Sequence, residues 1–250
     1  MAGESQQMLA LGKGRYRARA TQGAQDLRRA QRLRALAFYG RDGVDRDDFD
    51  DRCQHVLIEE VATGALVGCF RLLPFADGSA ISDSYSAQFY DLTALAHFKG
   101  PMAEIGRFCL HPARTDPDIL RVAWGALTAH VDANGVGMLF GCSSFPGTDA
   151  APYDDAFALL RECHLAPSSW HPGIKAPEVY SYATALRQRP DLKRANAVMP
   201  PLLRTYLMMG GRVSDHAVVD REMNTLHVFT GLEIAAIPAG RAARLRDMAG

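Results

Sequence analysis

The 250-residue chain balances 28 Lys and Arg against 28 Asp and Glu, and 48% of its residues are apolar. That length and apolar share suffice for a substantial buried core, and zero formal net charge argues against a nucleic-acid binder. No uncharged run reaches the roughly 18 residues of a membrane helix, and the first residues lack the apolar core of a signal peptide, so a soluble cytoplasmic protein is expected.

Five cysteines, Cys53, Cys69, Cys109, Cys142 and Cys163, form no C-x-x-C pair, and the eight histidines show no ligand spacing. Neither a disulfide framework nor a metal site is indicated. Charge is unevenly spread: residues 1–41 carry nine Lys and Arg against two acids, and residues 41–51 then carry six aspartates. This reads as two solvated surfaces, or as a basic docking face beside an acidic pocket rim.

In chain order, residues 1–20 are expected to be flexible. Residues 24–39 place Leu27, Ala30, Leu33 and Ala37 near one helical face, with Arg28, Arg29 and Arg32 largely outside it. Two apolar runs, 55–62 and 65–73, flank Thr63-Gly64 and predict a hairpin. Residues 74–101 read as loop with a short helix near 86–95, followed by a strand over 102–110. Asp116-Pro117 is a helix start and Gly135 a stop. A strand over 136–142, a helix over 153–163, a helix over 201–209 and strands over 212–219 and 225–230 complete the pattern, with 231–250 as a C-terminal extension. Without a repeat or a long linker, one mixed α/β domain over 1–250 is expected.

The strand over 102–110 holds two charges, Glu104 and Arg107. An odd separation sends them to opposite faces of a regular strand. A β-bulge at Gly106 would reset the alternation and release a backbone N–H from the ladder. Glu104 is then either a carboxylate satisfied by an arginine such as Arg71, or a general base near a freed oxyanion donor. Cys142, in Gly-Cys-Ser-Ser-Phe, lacks the last glycine of a nucleophile elbow and reads as a strand cysteine.

The series Arg34-x-x-x-Phe38, Asp47-x-x-Asp50, Arg71-Leu72-Leu73-Pro74 and Glu104-x-x-Arg107-Phe108 resembles acyl-homoserine-lactone synthases, whose fold is similar to the GNAT acyltransferases. Val44 stands where that family carries a tryptophan. The chain more closely resembles the ornithine-acyl-ACP N-acyltransferases of bacterial ornithine-lipid synthesis, relatives of hemolysin-like proteins, over about residues 15–230. That resemblance rests on Cys53-Gln54-His55-Val56-Leu57, residues 67–74 (VGCFRLLP), 104–112 (EIGRFCLHP) and 139–149 (LFGCSSFPGTD).

The resemblance implies a GNAT-like acyltransferase fold, a mixed central sheet flanked by helices. It implies transfer of a 3-hydroxyacyl group from the phosphopantetheine thioester of acyl carrier protein to the α-amino group of ornithine, forming lyso-ornithine lipid, with no permanently bound cofactor. Lactone synthesis and acylation of lysine or glutamine are alternatives, and a membrane-active hemolysin-like protein is the non-enzymatic one. Glu104 is the expected base, and Arg71 and Arg107 hold it or bind the substrate carboxylate. Arg34, Phe38, Asp47, Asp50, Phe108, Cys142 and Ser143 are expected around the substrate, with Asp47 and Asp50 at its cationic end. Arg28, Arg29, Arg32, Arg114 and Arg121 are the expected docking residues for the acidic carrier protein. Residues 111–117 (HPARTDP) lack the glycine-rich turn that holds coenzyme A pyrophosphate in most GNAT enzymes. Release of an amphiphilic product at a bilayer would need only peripheral contact.

Overall fold

A computed structural model describes residues 11–12 and 14–249. In chain order the elements are β1 (Leu11–Gly12), β2 (Tyr16–Ala20), α1 (Gly23–Tyr39), β3 (Gln54–Glu60), β4 (Leu66–Phe75), β5 (Tyr90–Asp91), β6 (Met102–Leu110), α2 (Pro117–Asn134) and β7 (Met138–Pro146). There follow α3 (Asp154–Cys163), β8 (Gly173–Ile174), β9 (Val179–Tyr180), α4 (Tyr182–Ala185), α5 (Leu192–Val198), α6 (Pro201–Met208), β10 (Arg212–Val213), β11 (Ala217–Asp220), β12 (Thr225–Glu233) and α7 (Ala239–Ala249). No described helix is long and apolar enough to cross a membrane.

The chain divides into two compact units, one built from Met1–Pro74, Ile105–Val136 and Ala239–Gly250, the other from Phe75–Glu104 and Gly137–Pro238. Because both are assembled from separate stretches, no linker marks them in the sequence.

In the first unit β1, β2, β3 and β4 form an antiparallel ladder, with the second half of β6 next to β4. Helix α1 buries Ala30 and Leu33 against Leu57, Cys69 and Cys109, the face anticipated from its spacing. It ends at Gly40, whose left-handed backbone (φ 62°) lets its N–H return to Leu36 O. Asp116 caps α2 by accepting from Asp118 N–H. Of the stretch expected to be flexible, residues 1–10 and 13 lie outside the described residues. Tyr16–Ala20 instead form a strand, since Tyr16 and Ala18 are buried while Arg17 pairs outward with Glu59. The C-terminal extension also folds: β12 runs to Glu233, and α7 is tied to α2 by Arg246 and Asp132.

In the second unit the first half of β6 runs parallel to β7, β7 pairs antiparallel with β12 along its whole length, and β11 and β9 follow. One face packs Phe145 and Val228 against Phe157 and Leu160 of α3 and Leu203 of α6. On the other, Gly231 makes room for Trp170: an added Cβ would stand 2.7 Å from the indole. The helix expected near 86–95 is instead two 3₁₀ turns, Ser86–Gln88 and Thr93–His97, separated by β5. The strand expected over 212–219 breaks at 214–216, where Ser214 Oγ turns to His216 O.

Candidate active site

Three arginines and three aspartates of the first unit form one charge-balanced cluster. Arg34 projects inward from α1, donating to Asp45 Oδ2 (2.6 Å), Asp45 O (2.6 Å) and both oxygens of Asp50 (2.7 and 3.0 Å). Gln31, three residues earlier on the same helical face, adds a bond to Asp50 (2.9 Å). Arg71, from β4, donates to Asp50 and takes Asp47 with both terminal nitrogens. Arg107, from β6, meets Asp47 Oδ2 at 3.0 Å and Asp45 Oδ2 at 3.2 Å. Its guanidinium also stands over Phe38, 6.0 Å from the ring centre.

Electrostatics follow from this arrangement. Burial pushes the Asp50 carboxyl up, but hydrogen bonds from Arg34, Gln31 and Arg71 outweigh it and hold it well below the ordinary range. Asp47 is lowered in the same way, burial being overcome by Arg71 and the charge of Arg107. Burial lowers the His55 pKa, and since Asp50 O can only accept, the Nε2 that lies 2.9 Å from it is the nitrogen that carries the donated proton.

Several expectations change here. Arg34 and Asp50 were expected at the substrate, yet their side chains are 1% and 0% exposed and satisfy each other. Asp47, expected at a cationic substrate group, already pairs with two guanidinium groups, Arg71 and Arg107. Arg71 and Arg107, expected to hold Glu104 or a substrate carboxylate, have these aspartates among their partners. Asp45 was missed, although it belongs to the aspartate run and is offset from Asp47 and Asp50 by two and five residues. Strand β6 runs on through Gly106, where a bulge was expected, and the irregular residue is the next one: Arg107 takes the left-handed conformation, φ 51°. Phe108 stacks on Phe70, with ring centres 5.8 Å apart.

Glu104 sits in the second unit, 4% exposed. Its Oε2 accepts Tyr85 N–H at 2.8 Å, while Oε1 accepts Ser86 N–H at 2.7 Å and Ser86 Oγ–H at 2.6 Å. Ser86 Oγ also lies 3.5 Å from Cys142 Sγ. Glu104 pairs with Phe140 in the parallel register, and Cys142, two residues on, keeps the same face. Ser143 therefore points the other way and is buried against Thr230 Oγ1 at 2.9 Å. It does not share the Glu104 side, contrary to its grouping with Cys142. Tyr85 and Ser86 were not foreseen, because a loop 18 residues away carries no local sign of its partner.

Among the docking candidates, Arg28, Arg32 and Arg121 are exposed, the last paired with Asp118. Arg114 is half-buried, 3.7 Å from Glu60. Arg29 differs from its expected role: it donates to Asp26 (3.1 Å), Glu59 (2.8 Å) and Gly64 O (3.0 Å), so it braces α1 on the hairpin. Arg29 and Arg32 border a surface groove of about 620 Å³ whose apolar lining includes Leu33, Leu36, Val44 and Leu66. Among the described residues, no group of three or more His, Cys, Asp or Glu is arranged to hold a metal ion.

Residues 30–125 match the family described as Acetyltransferase (GNAT) domain. Over 238 residues the chain is 32% identical to the L-ornithine N(alpha)-acyltransferase of Rhodobacter capsulatus, covering 89% of this chain and 91% of that one. It is 29% identical over 205 residues to the L-ornithine N(alpha)-acyltransferase of Agrobacterium fabrum, covering 79% and 69%. In fold alone it is similar to FeeM, an N-acyl amino acid synthase from uncultured soil microbes, with a TM-score of 0.52, 10% identity and coverage of 89% and 94%. Fold and family match together define an acyltransferase of the GNAT class. Identity to the Rhodobacter protein over nearly the whole of both chains sets the narrower group: the chain belongs to the L-ornithine N(alpha)-acyltransferase family.

Proposed function

We propose that this chain moves a 3-hydroxyacyl group from the thioester of acyl carrier protein to the α-amino group of L-ornithine, the first step towards an ornithine lipid. The observation that carries the acceptor is the 32% identity, over nine-tenths of both chains, with a protein named for that acceptor.

The donor is argued from the start of α2. In nucleotide-bound acyl donors the pyrophosphate suits a helix N-terminus with free N–H groups. Here Asp116 already puts its own carboxylate there, accepting from Asp118 N–H (3.0 Å) and Tyr16 Oη–H (2.9 Å). A second anion at this end would meet repulsion. A carrier protein, which presents its thioester from a protein surface, avoids that contact, and exposed Arg28 and Arg32 suit an acidic partner.

The amine arrives mostly as ammonium and must lose a proton before attack. Glu104, held by three donors, is the proposed base. Glu104 takes this first proton and passes it to solvent; the N–C bond then forms as the C–S bond breaks, and the second proton, lost by the nitrogen as it becomes an amide, ends on the departing thiolate, whose ordinary pKa of about 8.5 makes it a good leaving group. Direct transfer needs no acyl-enzyme. The reaction runs in the cytoplasm, and its amphiphilic product leaves by peripheral contact with a bilayer.

Purified protein supplied with 3-hydroxyacyl carrier protein should release free thiol when ornithine is added, and more slowly with lysine or glutamine. Thiol release with S-adenosylmethionine and not with ornithine would replace this reading by lactone synthesis.

A further inference from the structure

We infer that Ser86 is the positioning residue of the reaction, the residue whose N–H and hydroxyl together hold the Glu104 carboxylate in place. The inference rests on the proposed role of Glu104 as base.

The geometry is specific. Ser86 supplies two donors, N–H at 2.7 Å and Oγ–H at 2.6 Å, and both reach Oε1. A carboxylate oxygen has two lone-pair directions, so Oε1 is filled by this one residue. Tyr85 N–H reaches the other oxygen, Oε2, at 2.8 Å, so one short turn touches both oxygens of the carboxylate.

The turn that carries Ser86 is built to stay in place. Ser84 Oγ–H donates to Ile81 O (2.7 Å) and its oxygen accepts Ala87 N–H (3.2 Å), locking the residues on either side of Ser86. Lys175 donates to Ala87 O (2.5 Å), Tyr85 packs its ring on Phe89 (5.3 Å), and Ser86 itself is fully buried. Such a turn does not follow a moving carboxylate. It holds Glu104 to one position, as a base must be held against its substrate. Titratable groups reach this turn as well: Lys175 at Ala87 O and, from β7, Cys142 across the Ser86 hydroxyl.

Hydrogen bonds to the ionised carboxyl favour it over the protonated acid. Removing the Ser86 hydroxyl therefore raises the pH at which the base is lost. The Ser86→Ala enzyme should move the acid limb of its kcat/KM profile upward by about one pH unit and turn over about tenfold more slowly at its optimum. Ser86→Thr, which keeps the hydroxyl, should restore the wild-type limb, and Ser86→Cys, a weaker donor of similar size, should fall between. Adding Ser86→Ala to Glu104→Gln should cost nothing further, since Ser86 acts through the carboxylate.

An unmoved acid limb in folded Ser86→Ala and Ser86→Cys would overturn the inference. So would an equal loss from Ser86→Ala in wild-type and Glu104→Gln enzyme. Full turnover by Glu104→Gln would instead remove Glu104 as base, and Ser86 with it, while leaving acceptor and donor intact. Absence of thiol release by wild-type protein with any amine would tell against the reaction itself.

Discussion

Arg71 closes a two-pronged grip on Asp47, Nη1 to Oδ1 at 2.5 Å and Nη2 to Oδ2 at 2.8 Å, while the same Nη1 reaches Asp50 Oδ1 at 2.7 Å. A lysine offers one point charge in place of this planar fork. Arg71→Lys should therefore lower stability by about 3 kcal/mol, the scale for breaking a buried ion pair. Urea unfolding would read this directly, and an unchanged midpoint would show that the cluster tolerates a single contact.

Arg107 has a backbone that favours glycine and a side chain that serves Asp45 and Asp47. Arg107→Ala loses the guanidinium and keeps the unfavourable φ, whereas Arg107→Gly loses the guanidinium and relieves it. The glycine variant should be the more stable of the two by about 1 kcal/mol, although both fall below wild type. Equal melting temperatures would mean that the left-handed conformation is not held in solution.

Acid should unfold the protein in two stages. Burial pushes His227 from its ordinary 6.5 down to about 4, so between these values the unfolded chain binds a proton that the folded one refuses. Stability then falls as pH drops from 6.5 towards 4. Carboxylates act lower. Burial would raise Glu59, but bonds from Arg19 and Arg29 bring it from 4.5 to about 2, and Asp47 and Asp50 are also depressed. Their stabilisation is complete above the unfolded values and is lost as pH falls through the folded ones. Melting temperature against pH should show both stages, and His227→Gln should shrink only the upper one, to which buried His55, His130 and His216 also contribute.

Charge reversal should separate the arginines of α1. Arg32→Glu and Arg28→Glu should raise KM for acyl carrier protein about threefold or more, less at high salt, with kcat and melting temperature nearly unchanged. Arg29→Glu should instead unfold the protein more easily, because it sets a third carboxylate beside Asp26 and Glu59. The same KM shift from all three, without loss of stability, would make Arg29 a surface residue.

Much of this architecture was legible one segment at a time. The Leu27, Ala30, Leu33 and Ala37 spacing of α1, the Thr63-Gly64 hairpin, Asp116-Pro117 at the head of α2 and Gly135 at its end are local codes, and each names an element without knowledge of its neighbours. The same holds for the motifs around Arg71, Glu104 and Cys142, which carried the family resemblance. A short alternation such as Tyr-Arg-Ala-Arg-Ala, five residues with one large apolar side chain between Gly14 and Gly23, was too slight for local reading, and β2 was taken for a flexible lead-in.

Partners were a different matter. Glu104 and Arg107 share one motif, three residues apart on one strand, and alternation alone sends them to opposite faces. In the fold Glu104 takes its donors from Tyr85 and Ser86, and Arg107 turns to Asp45 and Asp47. Amino-acid order sets periodicity, caps and charge, because those act over a few residues. Which carboxylate an arginine meets, and which hydroxyl fills Oε1 of Glu104, depends on burial away from water of groups brought together by separate elements, and their mutual satisfaction exists only once the chain has packed.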